Sequence, residues 1–157
     1  MDAPKLVNSN NLIKILNNVV YKYNNCENII VSCIFKYTKI LSYGISKSGF
    51  GLKSKLSAVH SEIDACNNLF SKYNQKERNK FKDLNILIIR FTHNGDNIIL
   101  KNSRPCRFCI RSLNKVKAIK NVYFTEDNNI YKYKMKDVIK NVNSFLVSSG
   151  DRRINTY

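Results

Sequence analysis

The chain has 157 residues, 43% of them apolar and 11% aromatic, with 5 glycines and 2 prolines, which excludes a disordered, collagenous or low-complexity polymer. Its length predicts a single folded domain over residues 1–157. Lysine and arginine number 27 against 11 aspartates and glutamates, a net charge of +16, and no apolar run approaches the ~20 residues that cross a bilayer, so no membrane partner is expected.

Apolar residues at Leu12, Ile13, Leu16, Val19, Val20 and Tyr23 predict a helix over 9–23 with Ser9 as N-cap. Residues 29–37 and 39–45, rich in β-branched and aromatic side chains, predict a hairpin. A loop over 46–57 carries Gly49 and Gly51 around Phe50, and a second helix over 58–73 follows, with Val59, Ile63, Cys66, Leu69 and Phe70 on its inner face. Residues 85–92 form the clearest buried strand, an apolar run interrupted only by Arg90. A polar loop with His93 and Gly95 leads through 98–100 to Pro105. A third helix opens at Cys106, with Phe108, Ile110, Leu113 and Val116 facing inward. Strands at 122–125 and 130–135 flank the turn 126–129, and 136–147 closes the chain as a helix. The order α-β-β-α-β-α-β-β-α predicts an α/β fold: a three-layer α-β-α sandwich around a mixed five-stranded sheet, the fourth and fifth strands forming a C-terminal hairpin.

The positive charge favours a polyanionic partner: nucleic acid, nucleotide or an anionic surface. Coding bias is a second source of it, because the abundant Asn, Lys, Ile and Tyr all have A/T-rich codons; on charge alone both origins stay open. The N-terminal MDAPKLVNSNNLIKIL lacks the charged-then-apolar order of a signal peptide. The 5 cysteines are an odd number, so no disulfide framework is expected. The expected setting is intracellular, in cytoplasm or nucleus, a host cell's included.

Two short segments carry chemistry. His60-Ser61-Glu62 opens the second helix, and Pro105-Cys106-Arg107-Phe108-Cys109 opens the third. In this order they match an H-x-E…P-C-x-x-C pattern, and the chain resembles the cytidine deaminase-like superfamily of zinc-dependent nucleobase deaminases. Cysteines at i and i+3 of a helix start point the same way and suit one ion, and the helix N-terminus stabilises their thiolates. The resemblance implies Zn2+ held by His60, Cys106 and Cys109, with water in the open fourth position. It implies Glu62 as the proton shuttle while hydroxide attacks the amine-bearing carbon, C4 of a cytosine, and the Ser61 backbone N–H as a partner for the pyrimidine carbonyl. Blander readings remain for each motif: buried cysteines, an exposed helix start, or a structural zinc site. Cys26, Cys33 and Cys66 read as small core residues.

The resemblance narrows the substrate only in part. Free-nucleoside deaminases begin the first motif with Cys and carry an upstream Asn–Glu pair, and neither feature is present here. Deoxycytidylate deaminases place an Asn where this chain has Asp64. Adenosine deaminases of tRNA join their last strands through a helix, whereas 126–129 allows only a tight turn. The terminal hairpin resembles the branch that includes cytidine and blasticidin deaminases, plant organelle RNA editors and bacterial nucleic-acid-modifying toxins, and the RNA editors also use H-S-E. The expected activity is conversion of cytosine to uracil in a nucleotide or polynucleotide, with a cytosine nucleotide or single-stranded nucleic acid as partner. Arg104 and Arg107 are candidates to grip its phosphate, and Phe50, Phe108 and Tyr43 to stack on its base, core packing being the alternative for Phe108. The different-class alternative is a non-catalytic nucleic-acid-binding protein that retains this fold and its zinc. Oligomeric state stays open, a homo-oligomer being common among such relatives.

Overall fold

The computed structural model describes residues 4–26, 29–46 and 60–144. In chain order the elements are β1 (Lys5–Val7), α1 (Asn10–Lys22), β2 (Ile30–Lys36), β3 (Lys39–Ile45), α2 (Ser61–Lys72), α3 (Gln75–Arg78), β4 (Leu84–Asn94), β5 (Asn97–Lys101), α4 (Arg107–Asn114), β6 (Ile119–Glu126), β7 (Asn129–Lys134) and α5 (Met135–Val138), followed by a 3-10 segment, Ile139–Ser144.

The strands form one mixed sheet in the order β1-β7-β6-β4-β2-β3, with β5 paired to β4. β4 and β6 run parallel, which requires the crossover that α4 supplies. Every other pair is antiparallel, including the β6–β7 hairpin. Its turn places Asp127 and Asn128 at φ of 48° and 63°, left-handed positions that Asp and Asn tolerate.

Alternation along β4 builds two cores. Leu84, Ile86 and Ile88 pack with Ala65, Cys66 and Leu69 of α2, Ile110 and Leu113 of α4, and Val138 of α5. Leu87, Ile89 and Phe91 face the other way, onto Leu12, Ile15, Val19 and Val20 of α1. A strand covered on both faces must be apolar throughout, which is why this one reads as a continuous run. Each fully buried Leu or Ile contributes about 1.5–3 kcal/mol.

The three-layer arrangement and terminal hairpin follow the expectation, but the sheet has seven strands, not five. Asn97–Lys101, read from sequence as a loop, is β5, folded back on a β4 that runs to Asn94 through a turn with Gly95 at φ 63°. His93 therefore lies in a strand, its Nε2 2.8 Å from the Asn24 carbonyl oxygen. β1 caps the β7 edge with a segment too short to show a pattern. The closing helix is shorter than expected: α5 ends at Val138, and Asn141, at φ −117° and ψ 22°, breaks the turn that follows. The parts of the expected helices at 58–59 and 145–147 lie outside the described residues.

β3 and α2 touch at Gly44, where a Cβ would overlap the Ser61 carbonyl oxygen and the Ala65 amide nitrogen. This contact sets how closely the first turn of α2 lies on the sheet. Gly44→Ala should lower the unfolding free energy by about 3 kcal/mol, because backbone and not a flexible side chain must yield. A urea melt checks this; a change within ~0.5 kcal/mol would show that the approach is not tight.

Candidate metal centre

His60 and Cys106 occupy matching places, each the N-cap of its helix in extended backbone conformation (φ −73°, ψ 146° and φ −81°, ψ 168°). An N-cap side chain ordinarily accepts a hydrogen bond from its own helix. Neither does so here. The two side chains turn toward each other across the gap between α2 and α4, with Cys106 Sγ 3.6 Å from His60 Nδ1. Cys109, one turn into α4, brings its Sγ to 3.0 Å from the same nitrogen.

One donor atom from each of His60, Cys106 and Cys109 lies within 4.8 Å of the others. A tetrahedral ion with bonds of ~2.0–2.3 Å sets its donors roughly 3.3–3.8 Å apart, so this set fits zinc in both spacing and chemistry. No other His, Cys, Asp or Glu joins the group among the described residues.

The thiols are differentiated. A hydrogen bond from the Cys109 thiol, reinforced by His60, pushes the Cys106 thiol down to about 5, while Cys109, holding the shared proton in a buried site, is raised. Burial pushes Cys66 up to about 12 and raises Cys33 also.

Glu62 is 5% exposed in the first turn of α2. Burial holds its carboxyl above the ordinary glutamate range, partly offset by a backbone hydrogen bond, His60 and the Ser61 hydroxyl. Its Oε2 accepts from Ser61 Oγ at 3.2 Å, and its negative charge helps to raise the Cys109 thiol. Ser61 Oγ lies 2.6 Å from Ser32 Oγ on β2. The sequence reading missed Ser32, although a single hydroxyl inside the apolar IVSCIF strand was the available signal. Asp64 is also structural in part: its Oδ2 accepts from the Ile45 amide at 3.0 Å, bracing the end of β3 against α2.

The segment leading to the cysteines is tied to the sheet. Ser103 Oγ lies 2.9 Å from Thr125 Oγ1 and donates to the Ile88 carbonyl at 2.7 Å. Thr125 Oγ1 donates to the Lys101 carbonyl at 2.7 Å and accepts from the Arg90 amide at 3.2 Å. Alternation puts Arg90 on the same face as Ile86 and Ile88, the face of α2 and α4. Its Nε is buried without a hydrogen-bond partner among the described residues.

The expected substrate contacts divide. Arg104 is paired with Glu126 at 2.9 Å and lies over the Phe124 ring at 5.2 Å. Arg107 donates to the Asn143 carbonyl at 2.9 Å, so both arginines already have internal partners. Phe108, expected to pack inward, is 51% exposed, with its ring 6.4 Å from that of His60 and nearly perpendicular to it. The inner face of α4 is Cys109, Ile110 and Leu113, and a residue one position before Cys109 falls about 100° away from it. Tyr43 is on the α1 side of the sheet, edge-on to Tyr23, away from the donors. Phe50 lies outside the described residues.

The chain has the cytidine deaminase-like fold. It is similar to the dCMP deaminase from the cyanophage S-TIM5 in apo form, with a TM-score of 0.50 and 15% identity over 85% of this chain and 94% of that one. A structure of that deaminase in complex with dCMP and dUMP gives a TM-score of 0.47 and 14% identity over 75% of this chain and 83% of that one. No protein-family model and no curated protein matches the chain.

Two outcomes are expected. Thr125→Val should cost about 2–3 kcal/mol in a denaturant melt, because it removes the hydroxyl that accepts from the Arg90 amide, donates to the Lys101 carbonyl and lies against the buried Ser103 hydroxyl. In the metal-free protein, iodoacetamide at pH 6 should alkylate Cys106 while sparing Cys33 and Cys66: a thiol lowered to about 5 is mostly thiolate at that pH and one raised is not. Peptide mapping reads the sites, and equal labelling of all three would contradict the electrostatics.

Proposed function

We propose that the protein is a zinc-dependent hydrolytic deaminase that converts cytosine to uracil, releasing ammonia, in a nucleotide or polynucleotide. The observation that carries this reading is the pairing of a three-donor group with a buried carboxylate, Glu62, that lies two residues from one donor and acts electrostatically on the thiols but is not itself in the group. Structural zinc sites close with four protein donors, whereas three leave a position for reactant.

His60, Cys106 and Cys109 would hold the ion. A zinc ion with three protein donors supplies an activated water at neutral pH by lowering that water's pKa to about 7. Glu62 then has a defined task. Ser61 Oγ occupies its Oε2, leaving Oε1 to take a proton from the attacking water and deliver it to the ring nitrogen, then to take the second proton from the hydroxyl newly added at C4 and pass it to the departing amine as the C4–N bond breaks. Burial favours the protonated form of Glu62, which suits a group that must hold the proton between these steps. Ser61, at the first position of α2, has a backbone N–H with no intrahelical acceptor, available to the base carbonyl. Phe108, exposed beside His60, is suited to line the base, and Arg90, on the site-facing side of the sheet, has an Nε without a hydrogen-bond partner among the described residues to offer a phosphate. The neighbour described as a dCMP deaminase supports cytosine as the base and a monophosphate as one candidate carrier.

The test is ammonia release by the zinc-loaded protein from cytidine, deoxycytidine, their monophosphates and a cytosine-containing single strand. Turnover of at least one, falling about 10²–10⁴-fold in Glu62→Ala with zinc still bound, is expected. Silence across the panel with zinc present would overturn the reading and leave a non-catalytic binding protein.

A further inference from the structure

The sheet's other end carries a second feature that the deaminase chemistry does not use. Where β2 turns into β3 and the chain enters β4, a cavity of about 440 Å³ is lined by Lys36, Tyr37, Lys39, Lys80, Phe81 and Lys82, among others, and by no acidic residue. That volume lies in the range of ligand sites. None of the four lysines forms an ion pair with a described residue. The acids close to Lys80 and Lys82 in sequence are placed otherwise: Asp83 follows Lys82 outside the lining, and Glu77 is engaged by the Asn74 amide in a capping box.

The aromatic residues are arranged differently from a core pair. Phe81 is held edge-on by Tyr73, ring centroids 5.0 Å apart, and forms a fixed wall. Tyr37 is 75% exposed at the tip of the hairpin, with Lys36 Nζ 5.9 Å from its ring centre. Its backbone is at φ 55°, where Gly or Asn is the ordinary occupant and a bulky side chain is strained. The hairpin thus presents a flat ring to solvent at a position where its backbone disfavours one.

We propose that this cavity binds single-stranded nucleic acid, one base stacking on Tyr37 while neighbouring phosphates meet Lys36, Lys39, Lys80 and Lys82. Aromatic platforms interleaved with cations are how proteins hold single strands without reading sequence. Ser32, which touches Ser61, is four residues along β2 from Lys36, so ~13 Å of strand separates the row beside the metal centre from the cavity edge. The two sites are distinct, and occupancy of this one does not depend on the deamination proposed above.

The test is fluorescence anisotropy of a labelled 20-nucleotide single strand, DNA and RNA in turn, with the intact zinc-loaded chain over a series of salt concentrations. Replacing Lys36, Lys39, Lys80 and Lys82 together by Ala should weaken binding at least tenfold and flatten the salt slope by about 2.8. The matched replacement of Lys5, Lys14, Lys22 and Lys132, which removes the same charge elsewhere, should change the slope by less than half as much. Tyr37→Asn should weaken binding about tenfold without loss of thermal stability, since Asn suits the positive φ, and Tyr37→Phe should retain binding. Equal losses from the two lysine sets would overturn the proposal in favour of diffuse charge. So would absence of binding to either strand, or full competition by an equal concentration of a free mononucleotide or inorganic polyphosphate.

Discussion

The meeting of two helix N-caps is the constraint on which the site depends. His60 begins α2 and Cys106 begins α4, 46 positions apart in the chain, yet their side chains come within 3.6 Å. This requires both helices to lie on one face of the sheet with their N-termini at the same end. The β2–β3 hairpin fixes α2 there, and the parallel pairing of β4 with β6 fixes α4. Two positive helix ends converging on one point favour anionic thiolates, so the fold itself lowers the cost of gathering donors that could hold a metal ion.

The surrounding packing holds this convergence in place. Gly44 lets β3 approach the backbone of α2, Asp64 ties the end of β3 to that helix, and Ser32 reaches across to Ser61. On the other side Thr125 and Ser103 link β4, β6 and the segment ahead of Cys106 through buried hydroxyls. Buried hydroxyls of this kind are costly when unpartnered, which makes them effective at specifying one arrangement. The sheet thus acts as a rigid frame, and the donors sit where two rigid elements begin instead of on mobile loops.

Much of this was legible in the residues, and the exceptions have physical causes. The helix starts, the buried run of β4 and the Asp127–Asn128 turn each carry a local signal that tertiary context does not override. The H-x-E and P-C-x-x-C segments likewise marked the three residues that the fold gathers. β5 was hidden because a hairpin extending a buried strand needs no alternation of its own, and β1 because three residues carry no period. Phe108 was misplaced by assigning it to a helix face set instead by Cys109, Ile110 and Leu113. Tyr43 and Arg104 depend on long-range facts, the side of the sheet in one case and a carboxylate at Glu126 in the other, that spacing alone does not encode.

Two helix starts bring together three donors spaced for one zinc ion, with no fourth among the described residues. X-ray absorption at the zinc edge of the loaded protein measures this directly. Two sulfur donors at about 2.3 Å and one imidazole nitrogen at about 2.0–2.1 Å are expected, with a fourth light-atom donor that exchanges with solvent or added ligand. A shell of three or four sulfurs, or a zinc content that survives replacement of all three of His60, Cys106 and Cys109, would contradict it.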